Sequence, residues 1–209
     1  MHIQSFVISP IGSNCYVLAE SPEPGARAVL IDPGDRALTP VFEYIADRQF
    51  QVEAIWCTHG HFDHMLGVDV AREQYKVPVY LHRADIPVWD TAPVVTAQWL
   101  RQTVPPVAHP DIYWEEGTVV TLGDTRWNII HTPGHSPGSV CIVGDQVAFT
   151  GDTLFAGSIG RTDFPLSSPE DMQASLQRLR TLPEDLRIYP GHGGPSSIGT
   201  ECRTNPFFI

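Results

Sequence analysis

"VEAIWCTHGHFDHMLG", residues 52–67, runs from an apolar, strand-like stretch directly into four metal-seeking side chains, His59, His61, Asp63 and His64. The first half reads as a buried strand and the second as a loop that opens a helix. A packed core has no use for so many imidazoles and a carboxylate within six positions. Their partners must therefore come from elsewhere in the chain.

Three other stretches repeat the pattern. "RWNIIHTPG" (126–134) leads into His135, "DQVAFTG" (145–151) into Asp152 and "LRIYPG" (186–191) into His192. Each is a strand-like run that ends at a candidate ligand, and glycine stands immediately before the ligand at Gly134, Gly151 and Gly191. Glycine permits the sharp turn and close backbone approach that a crowded site requires. The spacing predicts that seven side chains from four strand ends meet at one sheet edge.

Five imidazoles and two carboxylates suit Zn²⁺, with Fe²⁺ or Mn²⁺ as alternatives, and they exceed what one first-row ion accepts while leaving room for a substrate. Two divalent metal ions are expected. His59 and His61 alternate along the loop and can join His135 on one ion; Asp63 and His64 can join His192 on the other, with Asp152 bridging. Such a cationic pair would hold and deprotonate a water at neutral pH, and Asp63 could orient that water and take its proton. The HExxH helix signature is absent. His2, His82, His109 and His131 are expected to be surface or core hydrogen-bonding groups, since "TPG" breaks the helix that would pair His131 with His135.

The rest of the composition narrows the function classes. A chain of 209 residues fits one domain, 1–209, with a sizeable core. Its formal charge of −11 disfavours a nucleic-acid partner. No apolar run is long enough to span a membrane, and the N-terminus lacks the basic and apolar regions of a signal peptide, so a cytoplasmic location is expected. Cys15, Cys57, Cys141 and Cys202 have no CxxC pairing and read as reduced thiols; Cys57, two residues before His59, could face the site if its strand continues that far.

Strand patterns fall at 3–9, 14–20, 27–32, 53–58, 78–81, 117–122, 125–131, 139–143, 146–150 and 187–190. Helical patterns fall at 39–49, 64–75, 169–180 and near 196–203. Segment 83–113 has no clean period and reads as an irregular helical excursion, either one wall of a pocket or a cap on the core.

Together the ordered motifs "LIDPGD" (30–35), "THGHFDH" (58–64), "HTPGHSPGS" (131–139), "FTGDTLF" (149–155) and "YPGHG" (189–193) resemble the metallo-β-lactamase fold hydrolases over nearly the whole chain. The resemblance implies an α/β fold, a four-layer αββα sandwich with metals at one edge. It implies the same division of ligands: His59, His61 and His135 on the first ion, Asp63, His64 and His192 on the second, Asp152 between. Asp32 matches an aspartate that supports the metal loop in that family; a turn cap within "DPGD" is the plainer alternative.

"GDTLFAGSIGRTDFP" (151–165) and "ECRTNPFF" (201–208) look like the short glyoxalase II-related branch, thioesterases of the hydroxyacylglutathione hydrolase type. That likeness implies a small-molecule acyl-thiol substrate. A mononuclear iron persulfide dioxygenase and a lactonase share the ligand set and are the alternatives. Two departures bear on glutathione. Residues 193–209 are too few for the helical C-terminal domain of the full-length enzymes, and the sequence reads Gly160-Arg161-Thr162-Asp163 where those enzymes place Lys and Tyr. Arg161 could clasp a substrate carboxylate through its planar fork, or pair with Asp163.

Overall fold

The computed structural model describes residues 1–208. Strands β1 (His2–Val7), β2 (Asn14–Ala19) and β3 (Arg27–Ile31) form an antiparallel meander. Helix α1 (Thr39–Asp47) carries the chain to β4 (Gln51–Trp56), which lies parallel to β3. Helices α2 (Phe62–Met65) and α3 (Val68–Tyr75) lead to β5 (Val79–His82), and α4 (Ile86–Trp89) and α5 (Ala92–Leu100) precede β6 (Ile112–Trp114). These strands make a six-stranded sheet in chain order.

The second sheet is built from β7 (Val119–Leu122), β8 (Thr125–His131), β9 (Val140–Val143) and β10 (Val147–Gly151). A small hairpin, β11 (Leu154–Phe155) and β12 (Ser158–Ile159), and helix α6 (Pro169–Leu179) intervene before β13 (Arg187–Pro190), β14 (Ser196–Ser197) and α7 (Ile198–Thr204). Its order is β14-β13-β10-β9-β8-β7, with β13 parallel to β10.

The inner strands of each sheet are covered on both faces, and the alternation of side chains says by what. Along β2, Cys15, Val17 and Ala19 pack with Val41, Ile45, Met65 and Ala71 of the first helical layer, while Tyr16 and Leu18 face the other sheet. Along β9, Val140 and Ile142 point between the sheets, whereas Cys141 and Val143 meet Met172, Leu176 and Ile198 of α6 and α7. A strand buried on both sides reads as a continuous apolar run, which is why these segments show β-branched residues without polar alternation. The result is the four-layer αββα sandwich that the motifs implied. Between the sheets, Trp56 lies 6.1 Å from Trp114 and 6.2 Å from Trp127, measured between rings in edge-to-face pairs.

Some boundaries differ from the sequence pattern for identifiable reasons. The helix expected over 64–75 is two helices, because Gly67 donates its N–H to Pro33 O at 2.8 Å and a Cβ there would lie 2.1 Å from the Asp35 carbonyl oxygen. Strand β6 spans Ile112–Trp114, too short to display a period, and it is defined by pairing with β5. The excursion expected over 83–113 contains α4 and α5. Strand β4 stops at Trp56, and Cys57 is fully buried among the apolar residues under α2 and α3. Burial pushes its thiol well above the ordinary range, so it belongs to the core and not to the ligand cluster.

Trp127 is 1% exposed and touches Trp56 and Phe149 between the sheets. Trp127→Ala is expected to destabilise the protein by about 3–5 kcal/mol, read as a shift in the urea unfolding midpoint; a cost below about 1 kcal/mol would show that the sheets do not depend on this filler.

Candidate metal centre

All four ligand-bearing loops leave the same edge of the sandwich. β4 runs into His59, His61, Asp63 and His64, and β8, β10 and β13 run into His135, Asp152 and His192. The sheets are joined there by Val140 N–H donating to Thr58 O at 2.9 Å. Close approach explains the glycine before His192: a Cβ on Gly191 would lie 2.1 Å from Asp152 Oδ1 and 2.7 Å from His64 Cε1. Gly151, before Asp152, has φ +46°, the left-handed region that glycine enters without penalty.

The seven side chains predicted from sequence converge in two tripods. The potential donor atoms of His59, His61 and His135 all lie within 4.8 Å of one another, and those of Asp63, His64 and His192 do the same. Asp152 stands between the tripods: its Oδ2 is 3.4 Å from His135 Nε2 and 3.5 Å from His192 Nε2, and its Oδ1 is 3.4 Å from His64 Nε2. Asp63 Oδ2 lies 3.2 Å from His192 Nε2 and 3.3 Å from His64 Nε2.

Outer partners set the ring orientations. His64 Nδ1 donates to Asp32 Oδ2 at 3.1 Å and His135 Nδ1 to Arg161 O at 2.8 Å. Thr58 Oγ1 donates to Asp32 Oδ2 at 2.6 Å and therefore accepts from His59 Nδ1 at 3.1 Å. Each of these rings turns its Nε2 inward, the atom that ligates a cation once unprotonated. His59 Nε2 is buried without a hydrogen-bond partner, and so is Asp152 Oδ1. Buried polar atoms are rarely left unpaired; inward lone pairs facing carboxylate oxygens form a donor set fitted to divalent cations. Asp32 also lies near His59 and His64, but both its oxygens are engaged by Thr58 and His64. It orients the loop and one ligand, beyond a local turn cap.

The two tripods differ electrically. Burial and the His135 charge lower His61 to about 3, and burial lowers His135 to about 4. Burial and the other histidines drive His59 well down too. The first tripod is thus neutral and ready to ligate. In the second, burial works against charge on His64, but Asp63 and Asp152 outweigh it and raise the imidazole well above its ordinary value. His192 is raised by Asp63 and Asp152 despite its burial. Burial would raise Asp63, yet His64 and His192 hold it well below the carboxylate range.

A family model described as the Metallo-beta-lactamase superfamily matches residues 8–192. The chain belongs to that superfamily. Its structure superposes on the BLEG-1 B3 metallo-beta-lactamase with a TM-score of 0.90, at 33% identity and covering 100% of both chains. It superposes on TTHA1623 in a di-iron-bound form with a TM-score of 0.87, at 36% identity and covering 98% of this chain and 99% of that one. In sequence it is 29% identical to the hydroxyacylglutathione hydrolase GloC of Haemophilus influenzae, over 99% of this chain and 98% of that protein. No helix among the described residues is long and apolar enough to cross a membrane.

Within this superfamily frame, two positioning residues escape sequence reasoning. Asp85, fully buried at the end of the turn before α4, accepts from Gly60 N–H and Ser136 Oγ at 2.7 Å each, and from Gly138 N–H. It ties the His59–His61 loop to the His135 loop. Asn14, at the start of β2, gives its side-chain amide to Pro190 O and Gly193 O at 2.9 Å each, bracketing His192. No local motif marks either residue. The histidines outside the cluster behave as expected: His109 pairs with Asp90 at the surface, His2 bonds Tyr44, and His131 stacks on His82 and bonds Pro137 O. Arg161 reaches the cleft wall, but its Nε and Nη2 donate to Asp163 at 2.9 and 2.8 Å.

Asp85→Asn turns an amide N–H₂ toward backbone N–H donors. Expected results are a loss of about 1–3 kcal/mol in urea unfolding and a fall of about 10–100-fold in metal affinity by chelator competition; unaltered affinity would show that Asp85 does not hold the loops. The metal-free protein should have a stability maximum near pH 6.5. Below it the unfolded chain takes up protons that His59, His61 and His135 refuse when folded, and above it the unfolded chain releases protons that His64 and His192 keep when folded. Unfolding midpoints that rise or fall steadily between about pH 4 and 9 would contradict the contrast between the tripods.

Proposed function

We propose that this protein hydrolyses acyl-thiols with two divalent metal ions, zinc in the first place and iron as the alternative. His59, His61 and His135 would hold one ion, Asp63, His64 and His192 the other, and Asp152 would reach both. When bound, such a pair supplies a water acidified toward neutral pH and positive charge to offset an oxyanion.

The observation that carries the reading is what lines the cleft beyond the ligands. Apart from its ligands, the polar side-chain groups are Thr91, whose hydroxyl donates to Val88 O at 2.6 Å, Gln98, the indole N–H of Trp99, too weakly acidic to act as a general acid, and the paired Arg161. No Lys, Tyr, Cys or Glu lines it. An amine or alkoxide needs a proton to depart, whereas a thiolate leaves at neutral pH because a free thiol titrates near about 8.5. A site without a general acid suits a thioester better than a lactam or a lactone. GloC, named as a hydroxyacylglutathione hydrolase, adds weight to that substrate class.

In the reaction the acyl C–S bond breaks and a C–O bond to water forms, giving a carboxylate, a thiol and one proton to solvent. Asp63 lines the cleft, and its carboxylate is placed to orient the attacking water and take its proton. Asp32 and Arg161 O keep His64 and His135 in the required tautomers. A cytoplasmic location suits a thiol-releasing enzyme.

The test combines metal analysis with turnover. About two metals per chain are expected, with thiol release from acyl-thiols and a loss of about 10²–10⁴-fold in Asp63→Asn with both metals retained. Fewer than about 1.5 metals per chain at full activity would refute the dinuclear reading. Lactone opening or oxygen uptake with glutathione persulfide, without thiol release, would move the protein to a lactonase or dioxygenase function.

A further inference from the structure

The ligands form the floor of a cleft of about 400 Å³, and its walls have a different character. From the first tripod a line of rings leads outward. Phe164 lies 5.5 Å from His61 and 5.9 Å from His135, Trp99 lies 6.0 Å from Phe164, and Phe62 lies 6.3 Å from Trp99. Val88 and Val95 from α4 and α5 extend this wall, and Phe155 faces His192 across the floor at 5.8 Å.

The lip is apolar as well. Trp99 is 51% exposed and Leu166 is 55% exposed. Leu166 has φ +70°, a left-handed conformation that a bulky residue adopts only at a cost. The turn closed by Ser167 N–H donating to Phe164 O at 3.1 Å, with Pro165 and Leu166 at its corner, sets this conformation and holds the leucine at the mouth of the cleft. An apolar side chain exposed there offers a surface to an apolar ligand.

The charges agree. Among the described residues, Arg161 is the only cation apart from histidines that lines the cleft; its Nε and Nη2 are held by Asp163, and its guanidinium lies 4.4 Å over the Phe164 ring. Along the walls, away from the ions, a carboxylate meets a paired arginine, apolar side chains and a protein of formal charge −11. Its desolvation would be poorly offset.

We infer that the cleft selects acyl-thiols by an uncharged, apolar acyl chain that packs against Phe164 and Trp99, and that an anionic acyl or thiol group is disfavoured. This specificity rests on the thioesterase reading. Each methylene moved from water onto the wall should raise kcat/KM roughly three- to fourfold, and the preference should depend on Asp163 keeping Arg161 occupied.

The experiment uses the metal-loaded protein and N-acetylcysteamine thioesters of acetate, butyrate, hexanoate and succinate, beside S-lactoylglutathione. Expected is a rise in kcat/KM of roughly a hundredfold from acetyl to hexanoyl, with succinyl about tenfold or more below butyryl and lactoylglutathione below hexanoyl. Trp99→Ser should flatten the chain-length series, and Asp163→Asn, by freeing Arg161, should raise the succinyl value several-fold. A flat series, or succinyl or lactoylglutathione matching hexanoyl, overturns the inference while leaving the thioesterase reading intact. Calorimetry with the non-hydrolysable thioethers S-methyl- and S-hexyl-N-acetylcysteamine separates the two claims. If no thioester turns over, the thioesterase reading fails; S-hexyl binding at least about tenfold tighter than S-methyl then supports an apolar-chain site, and equal binding overturns it.

Discussion

The position of every candidate ligand depends on how the two sheets face one another across Trp56, Trp114 and Trp127. Rings of that size fix the separation of the sheets, and at the ligand edge the Val140–Thr58 hydrogen bond joins them. Along strands buried on both faces, such as β2, β9 and β10, polar side chains have little room. Buried polar groups gather instead where strands end, and the packing brings the ends of β4, β8, β10 and β13 side by side. The centre is thus a consequence of layer packing, with Asp32, Asp85 and Asn14 correcting the aim of each loop.

The convergence of the candidate ligands was legible in the sequence because metal binding needs unusual residue types at fixed spacings, and because glycine marked three of the strand exits. The strands were legible because burial on both faces removes polar residues from them. Asp85 was not, since its carboxylate acts on partners 25 to 53 positions away, inside a segment that has no period of its own. The split at Gly67 was hidden for a similar reason: the obstruction is the backbone of Pro33 and Asp35, which no local pattern announces. Arg161 was legible as a residue at the cleft. Its engagement by Asp163 was not, because an arginine two residues from an aspartate can turn either way.

The unlike tripods give the centre an internal direction. One half is neutral before any cation arrives, and its lone pairs need no proton removed. The other half is already a network of ionised carboxylates and raised imidazoles, so ligation there must displace protons as well as water. A centre of this kind is expected to fill in order, the His59, His61 and His135 half first at low pH.

The walls and floor of the cleft come from different parts of the chain. The floor belongs to the four strand ends; the walls are supplied by α4, α5, the β11–β12 hairpin and the loop at 164–166. The hairpin is itself fastened from the last helix, where Glu201 accepts from Gly157 N–H and Asn205 donates to Ser158 O. The walls can therefore change in sequence while the candidate ligands of the floor stay in place. Asp85 sets the boundary of that freedom. The excursion after β5 can drift in sequence beyond it, but its opening turn is bound to the ligand loops and must be inherited with them.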